Sequence, residues 1–143
     1  MLIDYDDDYP TCVRTYASLR ILHDDLEPDR VTRLLGIEPS ESQVKGAAYI
    51  NSIGREKMAE IGGWFLSTEG VIASRDLRRH VDCILDKLVG KDESLKRLQA
   101  DGNEIDVFCY WLAAEGHGGP TLSPAIMRRL GELEIEIGFD IYG

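Results

Sequence analysis

The stretch "ELEIEIGFDIYG", Glu132–Gly143, alternates charge and hydrocarbon almost without a break. Along an extended chain Leu133, Ile135, Ile137, Phe139 and Ile141 face one way, and Glu132, Glu134, Glu136 and Asp140 the other. A strand of this kind belongs to a sheet with one face buried and the other wet. A doubly wound sheet, covered on both faces, has no use for it. Just upstream, Ser123 and Pro124 open a helix that the pattern carries to Leu130.

Working outward, "CVRTYASLRIL", Cys12–Leu22, repeats the alternation. Val13, Ala17, Leu19 and Ile21 share one face; Arg14, Tyr16, Ser18 and Arg20 share the other. A short helix follows, begun by Pro28, striped by Val31, Leu34 and Leu35, and stopped by Gly36 and Pro39. "GGWFLSTEG" supplies a brief strand through Trp64 and Leu66. "SRDLRRHVDCILDKLVG" then spaces Leu77, Val81, Ile84, Leu85 and Leu88 as a helix between an N-cap at Ser74 and a stop at Gly90. "DESLKRLQADG" adds a further short helix. "EIDVFCYWLAAEG" is apolar on both parities, the mark of a central strand covered on both faces. Residues 37–61 have no clean period apart from a short helix expected near Arg55–Ile61, and read as a long insert.

The sum is one α+β domain spanning 1–143, with an acidic arm over 1–11. Its expected sheet has four strands, largely antiparallel or mixed, with helices mainly on one face. Strand 12–22 leads to a helix opened by Pro28, and strand 105–115 to one opened by Pro124. This faint echo predicts ferredoxin-like, pseudo-duplicated β-α-β halves joined by the 74–90 helix. Val13, Ala17, Leu19, Trp64, Leu66, Val107, Cys109, Trp111, Ile135, Ile137 and Phe139 are expected to share a core with the 77–88 stripe.

Sixteen bases stand against twenty-six acids, a net charge of −10. Residues 1–27 carry two bases and seven acids, and residues 101–143 two bases and eight acids. Such ends repel phosphate backbones and anionic lipid, so neither nucleic acid nor membrane is an expected partner. No apolar run approaches the ~20 residues of a spanning helix. "MLIDYDDDYP" is acidic where a signal peptide is basic, and the three cysteines form no C-x-x-C pair, so a reducing cytoplasm is the expected compartment.

Motifs that carry chemistry are incomplete. In "AAEGHGGPTLSPAIM", Gly116 and Gly118 begin G-x-G-x-x-G, but Thr121 stands in the third glycine's place and Glu115 would repel a phosphate. A turn leading to a capped helix is the simpler reading. Asp4, Asp6 and Asp8 alternate as in a calcium loop, yet Tyr9 and Thr15 stand where that loop needs Gly and Glu, which leaves a solvated arm. His23, His80 and His117 have no partner at zinc-ligand spacing, and His80 lies beside an apolar stripe. Cys83 and Cys109 read as small hydrophobes, and no serine sits in G-x-S-x-G. Glu134 and Glu136, about 7 Å apart on one strand face, are expected to form cross-strand ion pairs with Arg14 and Arg20. No catalytic residue, metal or cofactor is assigned.

Taken in order, "TYASLRILHDDLEPDRVTRLLGIEPS", the "KG" at 45–46, "GGWFLSTEG", "DLRRHVDCILDKL" and "GFDIY" resemble a bacterial family catalogued as domain of unknown function 4279. The resemblance spans almost the whole chain. It implies a small stand-alone bacterial domain of α+β fold, and it transfers no activity and no catalytic residues.

Two functions fit these residues. One is a non-catalytic protein-interaction domain, immunity-like or regulatory, that meets a partner through its acidic surface or pairs with itself. Tyr16, Phe108, Tyr110 and Leu112, rimmed by Arg14, Arg20, Glu134 and Glu136, would form that interface as a patch on the sheet's second face. The other is an enzyme or small-ligand binder with its site between the 37–61 insert and the 113–123 loop. Lys45, Arg55 and Lys57 would then supply cations and His117 a titratable group.

Overall fold

β1 (Cys12–His23) is hydrogen-bonded along both edges, to β5 (Gly62–Ser67) and to β6 (Glu104–Ala113), antiparallel in each case. The computed structural model describes residues 4–143. Beyond β5 lies the three-residue β2 (Glu41–Gln43), and beyond β6 lies β7 (Glu136–Tyr142), giving the order β2-β5-β1-β6-β7. The sheet has five strands, not four, and is mixed, since β6 and β7 run parallel. Helices α1 (Pro28–Leu35), α2 (Leu77–Lys87), α3 (Asp92–Ala100) and α4 (Pro124–Glu132) complete the fold.

The ferredoxin-like duplication is not confirmed. Helix α1 leads first to β2, which runs parallel to β1 with β5 between them, whereas α4 leads to β7, parallel and directly adjacent to β6. Pro28 and Pro124 do share one way of opening a helix, each standing in its first turn.

One-sidedness does hold. Ala17, Leu19 and Ile21 of β1, Trp64 and Leu66 of β5, and Val107, Cys109 and Trp111 of β6 are buried in one cluster with Leu77, Val81, Ile84, Leu85 and Leu88. Fully burying each leucine, isoleucine or valine among them stabilises by roughly 1.5–3 kcal/mol. Trp64 also donates its indole N–H to Thr32 of α1 at 3.0 Å. The opposite parity of the same strands stays half-buried, β6 included, so β6 is central without being covered on both faces. Gly36 closes α1 in the left-handed conformation that the sequence assigned to it.

Several local expectations are corrected. Val13 is 52% exposed and Cys12 buried, because a bulge between Cys12 and Arg14 shifts the alternation by one residue. The helix expected near Arg55–Ile61 is absent: β3 (Ala48–Ile50) and β4 (Glu56–Met58) form a separate hairpin. The α2 N-cap is Asp76, which accepts from the Arg78 N–H; Ser74 Oγ instead accepts from the Asp76 N–H. The last strand starts three residues later than its alternation suggests. Helix α4 runs on to Glu132, Glu134 takes φ 55°, and Ile135 N–H returns to the Leu130 carbonyl. This is a Schellman turn, in which Ile135 and Leu130 supply the apolar contact that closes the helix. At the sheet edge Phe139 is 37% and Ile141 55% exposed.

Residues 4–8 are not a free solvated arm. Asp7 receives both Nε and Nη2 of Arg79 and the Ser74 hydroxyl, Asp6 N–H caps Asp76, and Tyr5 donates to Asp82. Arg79 and then Ser74 hold the Asp7 carboxyl below its ordinary range. For Asp76 burial works in the opposite direction, but the hydrogen bonds from Arg78 prevail and its pKa is lowered.

His80 lies wholly inside, between α2 and the end of β5. Its Nε2 is 2.7 Å from the Ser74 carbonyl, which can only accept, so Nε2 carries the hydrogen. Nδ1 of the neutral ring then accepts the Thr68 hydroxyl at 2.6 Å, while Thr68 Oγ1 accepts the Ala17 N–H. Burial lowers the His80 pKa below its usual 6.5. The unfolded chain therefore binds a proton that the native state refuses, and stability falls as pH drops below about 6.5, at up to about 1.4 kcal/mol per pH unit. Urea melts at pH 7.5, 6.5 and 5.5 should reveal this slope in the wild type and a flatter one in His80→Gln. Identical profiles would assign the pH dependence to other groups.

Candidate functional site

The face of the sheet turned away from the helices is built in rows by strand register. Ser67 and Ser18 are paired neighbours, Ser18 pairs Phe108, and Phe108 pairs Gly138. On one side of this row Tyr16 sits opposite Tyr110, and on the other Phe65 and Asp106 flank Arg20. Alternation delivers all of them to one face once Ala17, Leu19, Val107 and Cys109 have been claimed by the core.

Aromatic rings form two walls. Tyr16 and Tyr110 stack at 5.0 Å between centroids and 16° between planes, and Tyr142 continues the ladder at 5.5 Å from Tyr110. Across the row, Phe65 lies back over Gly63, where a Cβ would collide with its ring. Phe108 lies over Gly138, where a Cβ would meet its ring at 3.4 Å. Two glycines thus let two phenyl rings spread sideways. Ser18 and Ser67 are left as the low floor of a groove of about 360 Å³, which Tyr16, Arg20, Phe65, Phe108 and Tyr110 also line.

The charges on this face are largely arranged within the chain. Arg20 makes a two-pronged ion pair with Asp106, at 2.8 and 2.7 Å, and stacks 4.2 Å above the Phe108 ring. Arg14 pairs with Glu69 and lies 5.4 Å from the Tyr16 ring centre and 5.9 Å from that of Tyr110. Burial, and after it the Glu69 charge, raise the Tyr16 phenol above its ordinary pKa, so it stays neutral. Glu41 and Asp140, from the two outermost strands, also line the groove and have no cation partner among the described residues. Tyr142 donates its hydroxyl to Asp140 at 3.1 Å.

Of the interface residues read from the sequence, the structure brings together Tyr16, Phe108, Tyr110, Arg14, Arg20 and Leu112, which pairs with Arg14. Glu136, opposite Asp106 at the start of β7, keeps its place on this face, but the expected ion pairs are corrected. Glu134 sits in the left-handed turn before β7, and Arg14 and Arg20 take Glu69 and Asp106 in place of Glu134 and Glu136. Phe65, Glu41 and Glu69 were missed. Phe65 was legible as the residue of opposite parity between Trp64 and Leu66. Nothing local announces Glu41, whose three-residue strand has no periodicity to read.

The alternative site does not assemble. Lys45 pairs with Asp24 beside the His23 end of β1, and the hairpin bearing Arg55 and Lys57 connects there to β5 at Gly62. His117 lies beyond Ala113 at the Cys12 end, exposed, 3.8 Å from Glu115. The twelve residues of β1 separate the two ends by about 36 Å at the usual rise. The glycine loop is a connection: Gly118, at φ 83°, packs where a Cβ would strike Thr11, and Ser123 caps α4 through Ile126 N–H.

Among the described residues no group of three or more His, Cys, Asp and Glu side chains is placed to hold a metal ion. No helix among them is long and apolar enough to cross a membrane. The chain belongs to the family described as Domain of unknown function (DUF4279), whose model matches residues 13–143. No curated protein and no solved structure matches it.

Burial separates the three thiols. Cys12 and Cys109 are buried, and desolvation raises the Cys12 pKa and pushes that of Cys109 up to about 12. Cys83, on α2, is partly exposed, although the sequence reads it with Cys109 as a small hydrophobe. A charged disulfide reagent at neutral pH should therefore modify Cys83 first and reach Cys12 and Cys109 only with unfolding. Rapid native labelling of Cys109 would contradict its place in the core.

Proposed function

We propose that this chain is a non-catalytic protein-interaction domain, immunity-like or regulatory, that engages its partner through the open face of the sheet. The observation that carries this reading is the uncovered aromatic groove over Ser18 and Ser67. Tyrosine and phenylalanine in a shallow, charge-rimmed depression supply the large, rigid contact area typical of interface centres. Helices take up the other face, so this one remains available without any rearrangement of the core. The Thr68–His80–Ser74 network, which has a catalytic flavour, is buried, with both ring nitrogens of His80 tied to the segment between β5 and α2. That network serves stability and is out of a substrate's reach.

A photo-crosslinking residue placed at Ser18, compared with one at the exposed Lys96 on α3, tests the reading in the cell of origin. The expected result is a discrete protein adduct from position 18, lost when Tyr110→Glu is added and absent from position 96. An adduct at twice the chain's mass would identify the partner as a second copy. Equal labelling from both positions, or none from position 18, would overturn the reading.

A further inference from the structure

The chemistry of the groove narrows what enters it. The face already stacks two guanidinium groups on aromatic rings and tethers each to a carboxylate: Arg20 on Phe108 with Asp106, and Arg14 on Tyr16 and Tyr110 with Glu69. Those pairs are complete within the chain. What remains is Glu41 at one edge of the groove and Asp140 at the other, so the groove keeps a negative field above half-buried aromatic rings. Aromatic faces and carboxylates attract the same kind of group, a cation with a flat, weakly hydrated surface. An anionic or purely apolar occupant would leave both carboxylates uncompensated.

A second copy of the chain fits this field poorly. A two-fold axis through the groove would set Glu41, Glu69 and Asp140 against the same acids of the mate, with both arginines already engaged. Resting on the reading of the open face as a partner surface, we infer that the groove receives an arginine-bearing extended segment of a basic protein. Its guanidinium lies between the tyrosine ladder and Phe65, held by Glu41 or Asp140. The outer strands are four spacings apart, about 19 Å. A segment with two arginines four residues apart, side chains extended, spans that distance and satisfies both acids together.

The test uses the purified chain and a blocked peptide, acetyl-Gly-Arg-Gly-Ser-Gly-Arg-Gly-amide, followed by amide chemical shifts. Two further peptides replace both arginines by citrulline, which keeps the shape and removes the charge, or by glutamate. The expected result is saturable shifts centred on Ser18, Phe65, Ser67 and Tyr110. Affinity should fall at least about tenfold with citrulline, since both cation–π and ionic attraction go, and binding to the glutamate peptide should be undetectable. Glu41→Gln and Asp140→Asn should each weaken the arginine peptide by about twofold to fivefold, and added salt should weaken it further. Equal affinity for the citrulline peptide, or shifts centred elsewhere, would overturn the inference. Crosslinks from Ser18 alongside such an outcome would leave the partner surface standing and remove only the choice of arginine. Peptide binding without any crosslink would do the reverse.

Discussion

Because β1 is paired along both edges, its side-chain parity sets the parity of the whole sheet. Once Ala17, Leu19 and Ile21 turn toward the helices, register carries Leu66, Trp64, Val107 and Cys109 to the same side, and no strand can slip by one residue without exposing its share of the core. The same constraint delivers Tyr16, Ser18 and Arg20, with Phe65, Phe108 and Tyr110, to the opposite side. Core and open face are thus two consequences of one alternation. A substitution that disturbs the buried set of β1 should be felt on the open face as well.

The elements most legible in the sequence were those whose signals are local and chemical. Helix α1 has Pro28 at its start and Gly36 at its end; α2 has a stripe at helical spacing; β1 alternates over most of its length. What escaped was decided at a distance. The bulge that exposes Val13 depends on the partner β6, and the docking of Asp6 and Asp7 depends on α2 residues some seventy positions away. At Glu134 the local pattern misled, because an apolar residue closing a helix and an apolar residue opening a strand look alike in the alternation of Leu133, Ile135 and Ile137. Edge effects were invisible for a related reason: periodicity says which way Phe139 and Ile141 point, and not whether a helix reaches them.

The open face was half legible. Its aromatic centre followed from parity alone, whereas its electrostatics did not, since charge partners follow from register. Arg14 and Arg20 found Glu69 and Asp106 within the chain, which changed a face able to complement itself into one with unmatched acids at its rims. The postulated site between the insert and the glycine loop failed on topology, because segments adjacent to β1's two ends are held a full strand length apart.

All of this depends on the aromatic face being open while the indoles beneath the helices are closed. Hydroxyl-radical footprinting of the isolated chain at low concentration, read by mass spectrometry, measures that contrast directly. The structure predicts ready oxidation of Phe65 and Tyr110 alongside protection of Trp64 and Trp111, even though an indole is the more reactive ring. Protection of Phe65 and Tyr110 equal to that of the two tryptophans would mean that the second face is covered, and the one-sided sheet would have to be abandoned.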